Sequence, residues 1–362
     1  MNDSEQKSPR RRLVSLTVTE ACNLNCIYCY EHSKSPRSMD LATAKAAIFR
    51  EFTNSNEYDE IQIDLFGGEP TLRPDFIREL VEWTMTQHFH KKYIFFLQTN
   101  GTLVHGDFQQ WLIKHRCVWV GLSMDGSRET HNFNRSNSYD AIDYTFFATH
   151  YPAQGVRMTV APATVANLAN DVIHLHGLGF KKVDATIAYG ICWNPALEPT
   201  LENQLKILAD YYLDHPDLPE CSLFNMKIVS LGRVPHKEKW CGTGTAMISI
   251  GVDGRRYPCQ AFQPNTSSYP AELGTIELGL EDFSDPECSS CALKGLCPTC
   301  YGLNYQLSGN IIARDMQMCF ISKARARAVA YLRANQIARG LLELSSVDTY
   351  RTIEAIKYLQ TI

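Results

Sequence analysis

The chain has 362 residues, too many for a disulfide-stapled mini-protein and enough for a barrel of roughly 200–250 residues plus a smaller module. Hydrophobic residues make up 44% and charged residues 20%, so a core can be buried and wholesale disorder is excluded. The net charge of −4 argues against nucleic acid as a partner, and no apolar run approaches the ~20 residues of a membrane span. The N-terminus, MNDSEQKSPRRR, lacks the apolar stretch of a signal peptide, so a cytoplasmic protein is expected. Thirteen cysteines in a reducing compartment point to metal rather than to disulfides.

Residues 1–12 are polar and basic and read as a flexible tail. Residues 13–18 (LVSLTV) read as a strand, followed by a cysteine-rich loop and a helix over 41–52. A second strand at 61–66 leads through a Gly-Gly turn to a helix near 74–88. A third strand at 94–98 and a helix at 108–115 come next. The fourth strand, 118–124, is followed by a helix near 139–150. A strand at 156–160, a helix near 166–178, a strand at 183–188 and a helix over 201–213 complete the series. Six strands, each followed by a helix, imply a parallel sheet with right-handed crossovers. About 200 residues fall short of eight repeats. The expected fold class is therefore α/β, with a partial (β/α)6 TIM barrel over 13–215.

The pattern changes after His215. Half of the sixteen prolines and eight of the thirteen cysteines fall in 216–319, where long periodic segments are few. A cysteine-rich domain is expected over 216–322, and a C-terminal helical segment over 323–362. Residues 320–362 hold seven Lys/Arg against three Asp/Glu. That charge fits a solvated helix packed on the core, or a docking surface for an acidic partner.

The chemistry starts in the loop after the first strand, TEACNLNCIYCYEH. Cys22, Cys26 and Cys29 are spaced C-x3-C-x2-C. An α/β barrel places its active-site loops at this end of its strands. Three thiolates in one loop can hold a [4Fe–4S] cluster by three irons, leaving the fourth open. A zinc site completed by His32 is the rival reading. Three further motifs end later strands: Phe66-Gly67-Gly68-Glu69-Pro70, Gln98-Thr99-Asn100-Gly101, and Gly121-Leu122-Ser123-Met124-Asp125-Gly126 with His131 and Arg135 downstream.

The triplet, with Tyr28 before its third cysteine, resembles the signature of radical S-adenosylmethionine (SAM) enzymes. The resemblance implies that Gly67, Gly68, Glu69 and Pro70 form the GGEP motif that engages the SAM ammonium. Tyr28, Asn100, Ser123 and Arg135 are the other SAM contacts it implies, with Ser123 on the ribose and Arg135 on the carboxylate. It implies that one electron from the cluster cleaves SAM to a 5′-deoxyadenosyl radical, which abstracts a substrate hydrogen. The electron donor would be a flavodoxin or a ferredoxin. The cofactor carries the hard step, and the barrel orients it and excludes water.

Further on, Cys241 and Cys259 bracket a predicted hairpin turn, Val252-Asp253-Gly254-Arg255. Cys288, Cys291, Cys297 and Cys300 follow as C-x2-C-x5-C-x2-C, and Cys319 comes eighteen residues later. This field resembles the SPASM extension of radical SAM enzymes, which binds up to two auxiliary [4Fe–4S] clusters, and two are expected here. By that resemblance Cys288, Cys291, Cys297 and Cys319 hold the outer cluster. Cys241, Cys259 and Cys300 hold the inner one, with Cys221 as the candidate fourth ligand. The last C-x2-C is one residue shorter than the family's spacing. Zinc knuckles are the rival here too. Metal ligation would supply the folding free energy that a proline-rich, core-poor module lacks. Cys117 and Cys192 read as small buried hydrophobes.

Substrates of this group are mostly peptides. The segments LQTNGTL and VGLSMDG…HNFNR are similar to those of anaerobic sulfatase-maturing enzymes. Those enzymes carry an aspartate as general base directly after the hairpin cysteine. Here that position is Gln260, and an amide accepts no proton at neutral pH. The expected function is therefore maturation of a ribosomally made precursor peptide. Formylglycine formation and small-molecule dehydrogenation are the alternatives, and a non-catalytic iron–sulfur scaffold is the third. Asp64, Glu31 and Asp253 are the candidate replacement bases, each also readable as a structural or solvated carboxylate. About twelve residues before the first strand leave no room for a leader-binding winged helix. A separate leader-binding protein, or the C-terminal helix, is expected to take that role.

Overall fold

The computed structural model describes residues 10–231, 241–263, 286–342 and 345–359. Residues 1–9 of the expected tail lie outside them, as do 232–240 and 264–285 of the cysteine-rich region. In chain order the elements are β1 (Arg11–Thr19), α1 (Leu41–Asn54), β2 (Glu60–Gly67), α2 (Pro74–Thr86), β3 (Lys92–Thr99), α3 (Gly106–Lys114) and β4 (Val118–Ser123). Next come α4 (Arg128–Asn134), α5 (Tyr144–His150), β5 (Val156–Val160), α6 (Leu168–Gly177), β6 (Val183–Ile187) and α7 (Glu198–Asp214). Then follow β7 (Met247–Ile250), β8 (Arg256–Tyr257), α8 (Pro286–Ser289), α9 (Tyr301–Ser308), α10 (Met318–Ala338) and α11 (Ser346–Leu359). The strand order is β6-β5-β4-β3-β2-β1-β7-β8. The α/β class and the six expected barrel strands are present. Contacts divide the chain into two compact units.

The first unit spans residues 1–23, 31–121 and 241–277. Within it, β1 pairs in parallel with β2 from Arg11↔Glu60 to Thr17↔Phe66. On its other side β1 pairs in parallel with β7, from Leu13↔Met247 to Leu16↔Ile250. The strand β7 then turns antiparallel into β8 through Gly254, whose φ of +79° suits the predicted turn. So the sheet has eight strands rather than six, because the hairpin from the cysteine-rich region joins it. Four- and two-residue strands are too short to leave an alternation in the sequence. The strand β1 also begins at Arg11, two residues inside the expected tail, and Arg12 is buried. On β2, Ile61, Ile63 and Leu65 are buried while Gln62, Asp64 and Phe66 alternate half-buried on the opposite face. The helix α1 starts where Asp40 Oδ1 accepts from the Thr43 amide at 2.7 Å, an N-cap that satisfies one free donor. Pro74 occupies the first turn of α2, where its missing N–H costs nothing.

The second unit spans residues 24–30, 122–240 and 278–362. Its strands β5 and β6 pair in parallel from Val156↔Val183 to Val160↔Ile187. The expected single helix near 139–150 is a 3-10 turn at Tyr139–Ala141 followed by α5. The C-terminal segment is two helices, and α10 packs on α7. Small residues on α10 (Ala324, Ala326, Val329, Ala330) are buried. Arg327 and Arg333 of α10, and Arg339 just after it, meet acids of the same unit. Arg327 bonds Glu198 at 2.6 Å and Glu202 at 2.7 Å, and Arg339 bonds Asp214 at 3.0 Å. Arg333 grips Glu220 with both terminal nitrogens, and Gln336 donates to the same carboxylate at 2.9 Å. This corrects the docking-surface reading for these residues: their charge is matched inside the chain. Glu220→Ala is expected to lower stability by about 2 kcal/mol, because it removes charged hydrogen bonds at a part-buried site. Anaerobic thermal unfolding checks this, and an unchanged transition refutes it.

Candidate active site

In the first unit, the end of β2 is locked to the chain that enters the cysteine loop. The Gly68 amide donates to Thr19 O at 2.9 Å, and the Glu69 amide to Ala21 O at 2.8 Å. Both glycines are required by close approach. A Cβ on Gly67 would sit 2.1 Å from Thr19 O, and one on Gly68 would sit 2.3 Å from Ala21 O. The Gly67 φ of +135° adds a second reason.

Glu69 is buried, and its carboxylate is heavily used. Oε1 accepts from the Thr71 amide (3.0 Å), Thr71 Oγ1 (2.5 Å) and Thr99 Oγ1 (2.7 Å), while Oε2 accepts from the Asn100 amide (2.7 Å). Burial pushes its pKa up, and these hydrogen bonds hold it down. Oε1 takes three of these bonds and Oε2 only one, so Oε2 has room for an incoming donor. Asn100 extends the brace: its Nδ2 donates to Asn23 Oδ1 at 2.9 Å, and Asn23 donates to Thr102 Oγ1 at 2.8 Å. Cys22 therefore sits between two residues tied to the ends of β2 and β3. Pro70 opens a 3-10 turn, Pro70–Leu72, in which Pro70 and Thr71 are buried and Leu72 is exposed.

In the second unit, Cys26 and Cys29 lie in a turn closed by the Cys29 amide on Cys26 O at 3.1 Å. Tyr28 between them donates its hydroxyl to Asp125. Asp125 is fully buried and is the hub of the region. It also accepts from Asn134 Nδ2 (3.2 Å), Arg135 Nη2 (3.0 Å) and the Thr159 amide (3.0 Å). Its own amide donates to His131 Nδ1 at 3.3 Å. Burial pushes the His131 pKa down to about 4, so the ring is neutral and accepts that bond. Burial also raises the Tyr28 phenol well above its ordinary range, which keeps it a donor. The Arg135 guanidinium spans Asp125 and the Tyr28 ring, and its Nε is buried with no partner among the described residues. Ser123 ends β4, half-buried, opposite Arg157 of β5.

The C-terminal cysteines divide the same way. Cys288, Cys291, Cys297 and Cys319 line one small cavity of the second unit, together with Lys294, Lys323 and Arg314. Arg314 donates to the Cys297 carbonyl at 2.9 Å. Among the described residues, no three His, Cys, Asp or Glu side chains converge tightly enough for a single metal ion. Four thiols around one cavity are a donor set that could hold an iron–sulfur cluster, and the adjacent cations would suit its negative charge. Cys300 precedes α9 in the same unit. In the first unit, Cys241 is exposed and Cys259 is buried just beyond β8. Cys221 is fully buried beside Tyr212, whose hydroxyl accepts from its amide at 2.9 Å, and burial pushes its thiol up to about 11. All thirteen cysteines are free of disulfides.

Two expectations change here. Cys192 is exposed rather than buried, because its neighbour Trp193 takes the core position and donates Nε1 to Ala188 O at 2.8 Å. Cys117 is only half-buried. Among the candidate bases, Asp253 accepts from the Arg255 amide at 3.1 Å within its own hairpin turn. Glu31 is buried, and Asp64 lies half-buried on β2, accepting from Gln62 Nε2 at 2.7 Å. Asp125 is the residue that sequence reasoning quoted without assigning. An acid inside an otherwise apolar strand end, followed by glycine, was its only signal.

Comparison with known proteins agrees with this architecture. Residues 16–145 match the Radical SAM superfamily. The cysteine-type anaerobic sulfatase-maturating enzyme of Clostridium perfringens is 33% identical over 288 residues, covering 70% of this chain and 75% of that protein. A solved structure titled "Native anSMEcpe with bound AdoMet and Cp18Cys peptide" aligns with a TM-score of 0.70 at 21% identity, over 92% of this chain and 100% of that one. Streptococcus suis SuiB bound to precursor peptide SuiA aligns with a TM-score of 0.58 at 16% identity, over 85% of this chain and 75% of that one. At these identities the two structural likenesses concern the fold. The fold and the three-cysteine loop define a SAM-dependent iron–sulfur enzyme. The chain belongs to the radical SAM superfamily, whose members use SAM and a [4Fe–4S] cluster. Among the described residues no helix is long and apolar enough to cross a membrane.

Proposed function

We propose that this enzyme matures a ribosomally made precursor peptide, abstracting a hydrogen from one of its residues and leading to cross-linking, epimerisation or backbone excision. Cys22, Cys26 and Cys29 would hold the SAM-binding cluster; when bound, it and SAM supply a hydrogen-abstracting 5′-deoxyadenosyl radical. The chain's part is to place the cofactor. The remaining acceptor position on Glu69 Oε2 suits an ammonium. The free Nε of Arg135 suits a carboxylate, and Ser123, Asn100 and Tyr28 complete the contact set. Cys288, Cys291, Cys297 and Cys319 would hold an outer auxiliary cluster. Cys241, Cys259 and Cys300 would hold an inner one. Cys221 is its candidate fourth ligand, where a metal must take the place of a firmly held proton. A flavodoxin or ferredoxin would deliver the electron, and a separate protein would present the leader peptide.

The observation that carries the peptide reading over formylglycine formation is Gln260. It directly follows the hairpin cysteine and opens the 3-10 turn Gln260–Phe262, where similar sulfatase maturases carry an aspartate. An amide there cannot take the substrate proton. Asp64, half-buried on β2, would be the replacement base, with Glu31 and Asp253 as the other candidates.

The test is anaerobic reconstitution with SAM, first alone and then with a cysteine-containing sulfatase peptide. The expected result is 5′-deoxyadenosine without formylglycine, read by mass spectrometry. Formylglycine on the sulfatase peptide would overturn the reading, and absence of 5′-deoxyadenosine would favour a scaffold. Reconstituted enzyme should carry about twelve irons, and Cys288→Ala with Cys291→Ala about eight. An iron count unchanged by that double substitution would refute the outer-cluster ligand set.

A further inference from the structure

Three consecutive residues at the C-terminal end of α4 each hold a residue next to a cysteine. The Asn134 carbonyl accepts from the Ile27 amide at 3.0 Å. The Arg135 guanidinium carbon lies 5.4 Å from the centroid of the Tyr28 ring. Ser136 Oγ accepts from the Asn25 amide at 2.9 Å. Asn25 and Ile27 flank Cys26, and Tyr28 precedes Cys29. All six residues belong to the second unit.

This turn is held in an uncommon conformation. Ser136 and Asn137 both have φ of 56°, in the left-handed region that residues other than glycine seldom enter. Neighbours over-determine it. The Asn137 amide donates to Asn132 O at 2.9 Å, the Tyr139 amide to Asn132 Oδ1 at 2.9 Å, and Ser138 Oγ to Arg135 O at 2.7 Å. Glycine would occupy position 136 with less strain, but it has no hydroxyl to offer Asn25. Strain of this kind concentrates where geometry serves function.

We propose that the turn of Asn134, Arg135 and Ser136 is a positioning device that couples the order of the cysteine loop to occupancy of the SAM site. The proposal rests on reading Cys22, Cys26 and Cys29 as cluster ligands and Arg135 as a SAM contact. A SAM carboxylate on Arg135 fixes the same turn that holds both sides of Cys26. Conversely, an ordered cysteine loop presents Arg135 through Tyr28. Two events sharing one element strengthen each other by equal factors.

The test uses the full chain, reconstituted anaerobically and reduced, and follows the part of its iron–sulfur EPR signal that shifts when SAM is added. Decay of that signal in a chelator is timed for wild type, Ser136→Gly and Ser136→Ala, and SAM affinity is titrated on the same signal. Both variants are expected to lose the signal about fivefold faster and to bind SAM weaker by a similar factor, the effect of one lost hydrogen bond. Ser136→Gly is expected to unfold no earlier than wild type, since it relieves strain. A merely structural Ser136 predicts wild-type decay and affinity in Ser136→Gly, and that result overturns the proposal. Faster decay with unchanged SAM affinity overturns the coupling as well. A wild-type signal that ignores SAM refutes the cluster reading itself, and the proposal falls with it before any variant is compared.

Discussion

Asp125→Ala is expected to lower stability by about 3–5 kcal/mol and to stop SAM cleavage, because it strands a buried arginine. The Asp125 side chain is fully buried and Arg135 is 9% exposed, so little water can replace the lost partner. Four donors lose their acceptor together: Tyr28, Asn134, Arg135 and the Thr159 amide. The result for Asp125→Asn separates charge from shape. The amide fills the same space but offers one carbonyl oxygen for these donors and leaves Arg135 without a counter-charge. It is expected to fall between wild type and Asp125→Ala in anaerobic thermal unfolding. Its 5′-deoxyadenosine yield is expected to drop more than its stability, since Arg135 is the proposed contact for the SAM carboxylate. If Asp125→Ala unfolds with the wild type, Asp125 does not hold these four donors together.

Gly68→Ala is the second large effect. The new Cβ would meet Ala21 O at 2.3 Å, Ala21 C at 2.6 Å and Glu20 O at 2.9 Å. All three are backbone atoms, which cannot swing aside as a side chain can. The cost is expected on the order of 4 kcal/mol, in the exceptional range for one methyl group. The displaced segment runs straight into Cys22, so loss of the SAM-responsive cluster should accompany the lower melting temperature. Gly177→Ala is the control. Its Cβ meets nothing within 4 Å at the end of α6, so it is expected to be neutral or stabilising by about 0.5 kcal/mol. Equal melting temperatures for the two variants would show that the contact at Gly68 is soft.

Cysteine and glycine made the site readable in the sequence. Cys22, Cys26 and Cys29 announce themselves by spacing, and Gly67 and Gly68 by marking a turn that proves to be a close backbone approach. The barrel strands were readable for a different reason. Runs such as Val156–Val160 are short and alternate apolar with polar residues, and helix-length segments separate them. The network around Asp125 was not readable, because Tyr28 is 97 positions away and Thr159 is 34. Spacing carries no signal for such pairs. The helix α4 escaped notice because its seven residues, RETHNFN, are polar apart from Phe133 and show no apolar stripe. The end of the chain was half legible. The alanines of α10 predicted a helix, but the acids that neutralise its arginines sit on α7 and in the stretch after it, more than a hundred residues earlier.

The pairing of β7 with β1 bears on how this enzyme can be dissected. A fragment ending before residue 241 would keep every barrel strand yet leave Leu13–Leu16 of β1 without a partner on one side. The N–H and C=O groups that now meet Met247–Ile250 would face solvent along a central, apolar strand. Such an edge templates pairing with other chains. The severed barrel would therefore be recovered as aggregate rather than as a monomeric catalytic domain.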